Sequence, residues 1–142
     1  SQGDLYAAGD FTATGTKAAI VETNDHGWRN LYAMESPQNW FEDFGKSVLV
    51  GGEAVVPIEE VFSQTVNLEE DYHVYLTPLG QFCSLYVAEQ TASSFTVRAQ
   101  EGAGCEIAFH YRIIAPRLEY EDLRLEAAEP PEAVAVDVTT VN

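Results

Sequence analysis

The clearest pattern in this chain is a two-residue alternation of apolar and polar positions through its second half. YHVYLTPL sets Tyr72, Val74 and Leu76 on one face and His73, Tyr75 and Thr77 on the other, and QFCSLYVAE, SFTVRAQ and EIAFHYRIIA keep the same period. Ile107, Phe109, Tyr111 and Ile113 line one side of the last segment, the expected core side. The connections around Pro78–Gln81, Gln90–Ser93 and Glu101–Gly104 are short, which predicts a four-stranded antiparallel meander. Upstream, SVLVGGEAVVPI folds back at Gly51-Gly52 as a predicted hairpin, and AAIVET and RNLYAME do so around Asn24-Asp25-His26-Gly27. Pro37 and Asn39 predict a turn, after which Trp40, Phe41 and Phe44 supply three rings for a core or a contact surface. Glu59–Val66 is the one helical stretch, with Val61, Phe62 and Val66 on one face. It is expected to plug one end of the β structure.

The two ends follow other rules. Residues 3–20 read as hexads, GDLYAA, GDFTAT and GTKAAI, and a unit so short must stack on further copies or wind with identical chains. Asp4 and Asp10 are expected in turns; calcium-binding Gly-Asp repeats are longer and richer in aspartate. The opening inside a repeat suggests a piece of a longer protein, with any export signal or anchor outside it. Past Arg117 the chain turns acidic, and Pro130-Pro131 precedes VAVDVTTV, a tail either disordered or able to add a strand to a neighbour's sheet edge. The expected division is 1–20 as the end of a repetitive β shaft, 21–116 as a β-rich terminal domain and 117–142 as an acidic extension.

Composition narrows the function. Seven basic against 23 acidic residues, a formal net charge of −16, oppose a nucleic-acid partner, and no apolar run is long enough to span a membrane. Cys83 and Cys105 lack zinc-site spacing and are candidates for one disulfide. The alternation places them on strands flanking a third, too far apart for a direct bridge unless the loop folds back. His73 and His110 share the polar face and are weak candidates for a metal site, within one chain or across a subunit axis. Glu35, Glu42 and Asp43 lie near aromatic rings, as a polysaccharide depolymerase would need, but no pattern sets two of them at a catalytic spacing. Nucleophile-elbow, phosphate-loop and HExxH motifs are absent, so a protein without enzymatic chemistry or cofactor is expected.

ESPQNWFEDFG, GGEAVVPIEEVFSQTVN, YHVYLTPLG, LYVAEQTASSFTVRA and FHYRIIAPR together resemble the C-terminal domain of phage tail fibre-like and large repetitive bacterial surface proteins, over about residues 3 to 125. The resemblance implies a mainly β fold, a meander or sandwich-like domain with one short helix, following a hexad-repeat β shaft in an intertwined homotrimer. Closed cyclic symmetry, which avoids open sheet edges, accords with three chains. It further implies a structural, adhesive tip exposed outside the cell or on a virion, holding a cell-surface glycan or protein receptor without chemistry. A trimerisation or intramolecular chaperone domain for the shaft is the alternative. Trp28, Trp40, Tyr75 and Tyr120, aromatics near turns or off the apolar rows, are the expected receptor contacts, by stacking on sugar.

Overall fold

The structure, a computed structural model, describes residues 7–100 and 104–129. The protein is mainly β, with eight strands in antiparallel sheets and one short helix. Residues 7–35, with 127–129, belong to one compact unit; Ser36–Glu126 form the other. Most of the first hexad and the VAVDVTTV tail lie outside the described residues. The later hexads, up to Lys17, are exposed and without strand.

The first unit holds a hairpin of β1 (Ala18–Thr23) and β2 (Gly27–Tyr32), paired from Ala18↔Tyr32 to Thr23↔Gly27. Its turn forms where the sequence places it. The Thr23 hydroxyl donates to the Gly27 carbonyl at 2.8 Å and accepts the His26 N–H at 3.1 Å, while Gly27 takes φ 68°, a region costly for any residue with a Cβ.

The second unit contains β3 (Trp40–Val48), β4 (Glu53–Pro57), α1 (Glu60–Ser63), β5 (His73–Pro78), β6 (Leu85–Gln90), β7 (Ser94–Ala99) and β8 (Ala108–Pro116). These strands do not make the expected meander. They form two three-stranded sheets, β3-β8-β5 and β4-β7-β6, and of the consecutive pairs only β6 and β7 share a ladder. The physical reason is burial: β4, β5, β7 and β8 each carry an apolar face, and a single sheet would leave those faces in water, whereas two sheets cover each other. Phe95 and Val97 of β7 and Phe109, Ile113 and Ala115 of β8, the central strands, supply the middle of the core, with Leu49, Val56, Ile58, Val66 and Tyr72 around them. Ile107, Phe109, Tyr111 and Ile113 do line the core side, as the alternation predicts.

Gly51-Gly52 also does something other than expected. Both glycines have positive φ, 63° and 78°, and Val50 and Glu53 exchange backbone hydrogen bonds as in a tight hairpin turn. The strands on either side nevertheless diverge, β3 into one sheet and β4 into the other. The helix is a single turn. Glu59 caps it by accepting the Phe62 N–H at 2.7 Å, a bond that, with a second from Val61, holds the Glu59 carboxyl below its ordinary range. Phe62 packs against the core.

The cysteines depart from expectation as well. Neither lies on a strand: Cys83 ends the β5–β6 connection, Cys105 lies in the β7–β8 connection, and both segments cross between the sheets. They are bonded, with Cα atoms 6.3 Å apart, and both are buried. The bridge ties together the two crossings that prevent a meander.

Tyr111 rests on Gly45, its partner across the β3–β8 ladder, and meets Phe95 of the other sheet edge-on at 5.2 Å between ring centres. A Cβ on Gly45 would stand 2.1 Å from atoms of the Tyr111 ring. Burial, and secondarily the Asp43 carboxylate, pushes the Tyr111 phenol up.

Two outcomes test this packing. Replacing both cysteines by serine lowers the unfolding free energy in urea by about 3 kcal/mol, the chain-entropy value for a loop of this span; an unchanged midpoint would mean that the crossings are held without the bridge. Gly45→Ala costs about 1–3 kcal/mol as an overpacked core substitution. That cost shrinks in a Tyr111→Leu background, whereas a full cost there would place the clash on backbone.

Candidate binding site

Strand register decides which side chains share a face. On the outer face of the β3-β8-β5 sheet the cross-strand rows read Glu42–Ile114–His73, Phe44–Arg112–Tyr75 and Lys46–His110–Thr77, with Trp40 beyond the first row and Val48 beyond the last. Neighbouring strands stand about 4.8 Å apart and successive rows about 7 Å, so the three rows make a platform broad enough for several sugar rings. Phe44 is 63% exposed and Tyr75 56%, while Trp40 is half-buried.

Contacts within the face fix its rings. Trp40 and His73 approach to 5.5 Å between ring centres, and His73 and Tyr75 to 6.3 Å, giving a line of three rings. Arg112 donates from Nε to Glu42 at 2.8 Å, and its guanidinium lies 5.6 Å from the centre of the Phe44 ring. The ion pair and the ring contact together hold the guanidinium between Glu42 and Phe44.

Two of the four expected contact residues, Trp40 and Tyr75, therefore come together here. Tyr120 lies elsewhere, its ring 4.0 Å from the Arg117 guanidinium, which also reaches Phe41 at 5.5 Å. Trp28 belongs to the hairpin unit, where it is 63% exposed. His73 and His110 share the face but do not meet: His73 opposes Ile114 and His110 opposes Thr77, four residues apart along β8 or about 13 Å. Among the described residues no three His, Cys, Asp or Glu side chains are grouped to hold a metal ion. Arg112 and Lys46 are the members that reading single residues misses, while Phe44 is expected only, with Trp40 and Phe41, in a core or a contact surface. The signal that finds Phe44 and Lys46 is the alternation Trp40, Glu42, Phe44, Lys46, Val48, masked by Phe41 falling between two rings of the outer face.

The carboxylates named with the aromatics are dispersed. Glu42 pairs with Arg112 on the outer face, Asp43 faces inward and accepts the Phe44 N–H at 2.8 Å, and Glu35 pairs with Lys17 at 3.1 Å in the other unit. Among the described residues no buried side-chain nitrogen or oxygen lacks a hydrogen-bond partner.

The outer face of the other sheet differs in chemistry. Its rows are Glu53–Arg98–Tyr86 and Val55–Thr96–Glu89, with Arg98 donating to Glu53 at 2.6 Å. A hollow of about 600 Å³ beside it is lined by that ion pair, the Gly51-Gly52 turn and Glu106, which accepts the Gly51 N–H. These groups are already paired with one another. No protein family, curated protein or solved structure matched the chain.

Proposed function

We propose that this chain is a non-catalytic adhesive domain at the tip of a homotrimeric fibre, outside the cell or on a virion, and that it holds a cell-surface glycan on the outer face of the β3-β8-β5 sheet. The observation that carries the reading is the platform of Trp40, His73, Tyr75 and Phe44, ordered by a rigid sheet and open to solvent. Sugar rings present C–H faces that stack on aromatic faces, and the flanking Glu42, Arg112 and Thr77 offer hydrogen bonds to hydroxyls. Weak single contacts repeated on three identical chains gain by avidity. The Cys83–Cys105 disulfide accords with an oxidising, extracellular setting.

The three-chain part of the proposal is supported by the β1–β2 hairpin. Every residue of its two strands is exposed except half-buried Thr23, and it presents Ile20, Trp28 and Tyr32 on one face and Val21 and Leu31 on the other. A lone two-stranded ribbon is marginal in water, and copies of the chain would supply burial that the described residues of its unit do not. The same observation favours the second reading, in which the hairpin sets three chains in register so that an upstream shaft can fold.

The expected solution mass by light scattering is three times the 15.6 kDa of one chain; a monomer would overturn the fibre reading. Tyr75→Ala and Phe44→Ala are expected to weaken glycan binding about tenfold or more each, the loss of a stacking anchor, with circular dichroism and mass unchanged. Trp28→Ser with Leu31→Ser is expected to dissociate the trimer. Full binding by the Tyr75 and Phe44 variants would remove the site from this face.

A further inference from the structure

The outer face of the β3-β8-β5 sheet carries charge of the opposite sign to the rest of the molecule. The chain as a whole is at −16, yet this face holds Lys46 and Arg112 against a single acid, Glu42, which Arg112 already neutralises. The opposite outer face pairs its one cation, Arg98, with Glu53 and adds Glu89. Arg98 and Arg112 are both ion-paired, whereas Lys46 has no carboxylate within 4.0 Å among the described residues.

The position of Lys46 is unusual for a residue placed only for solubility. It stands directly opposite His110 across the ladder, and His110 stands directly opposite Thr77 on its other side. Side chains so paired have Cβ atoms about 4.5–5.5 Å apart. An ammonium, an imidazole and a hydroxyl are thus set side by side across three strands, all exposed, with no acid among them. An oxyanion placed over this row can accept hydrogen bonds from all three. The next row, about 7 Å away, is Phe44–Arg112–Tyr75, whose exposed rings can take the body of the same sugar or its neighbour.

We propose that the glycan held on this face is acidic, with a carboxylate or sulfate of one sugar seated on Lys46, His110 and Thr77 and adjacent rings stacked on Tyr75 and Phe44. This deepens, and rests on, the glycan-binding reading above. The acidic remainder of the molecule repels densely charged polymers, so the fit is to oligosaccharides with isolated acidic sugars. The −16 charge then acts as a filter: attraction is confined to one row, and a sugar lacking the anion gains only the stacking.

The test uses the full chain against a panel of immobilised oligosaccharides in matched sets: neutral, singly sialylated, containing one uronic acid, or singly sulfated, with a heparin fragment as the densely charged comparison. The expected result is that singly acidic members bind about tenfold tighter than their neutral counterparts, as a charge-assisted contact provides. Lys46→Gln and His110→Gln are each expected to erase most of that preference, so that acidic members bind no tighter than their neutral counterparts, and Glu89→Gln on the other sheet to leave both unchanged. The carboxylated and sulfated sets tell which anion is seated. Equal binding of neutral and acidic members, with silent Lys46 and His110 variants, overturns this inference and leaves the glycan reading standing. Tightest binding by the heparin fragment overturns the filter and the isolated-anion fit. Absence of binding across every set overturns both readings.

Discussion

The second unit depends on one constraint: the apolar faces that β4, β5, β7 and β8 carry have to be buried against one another. Neither three-stranded sheet can do this alone. Laying them face to face sets β7 and β8 at the centres of their sheets and brings Phe95 and Val97 against Phe109, Ile113 and Ala115. The rest follows from that demand. The chain crosses between sheets at Gly51-Gly52 and in the β4–β5, β5–β6 and β7–β8 connections, the last two are joined by Cys83–Cys105, and Tyr111 finds room only because residue 45 has no Cβ.

The same arrangement produces the candidate site. With β8 central and fully paired, its outward residues His110, Arg112 and Ile114 are flanked on both sides, and a strip of side chains becomes a three-column surface. A meander would have put β8 beside β7 and separated Trp40, Phe44 and Lys46 of β3 from His73 and Tyr75 of β5. Binding chemistry on this face is thus a property of strand order, while its precision comes from the packed core beneath.

The hairpin obeys a different rule. Its turn is encoded locally, by Thr23, Asn24, Asp25 and Gly27, and needs no tertiary support to be recognised. Its apolar residues have no such local solution, since both faces of a two-stranded ribbon remain open.

What the sequence determined by itself was mostly local. Period-two alternation told which residues of β5 to β8 face inward; the glycines told where the chain turns; and Glu59 with its following apolar positions told where a helical turn begins. Tyr75, His73 and His110 could be named as polar-face residues, and Trp40 as an aromatic near a turn, without any knowledge of their neighbours. Strand partners were decided only by the tertiary structure, because alternation specifies a face and is silent about which strand lies alongside. The pairing of β3 with β8, the bond between Cys83 and Cys105, the separation of His73 from His110, and the row of Lys46, His110 and Thr77 all depend on contacts between residues distant in the chain. Those contacts were set by the burial of two sheets against each other, a demand that no local stretch of sequence contains.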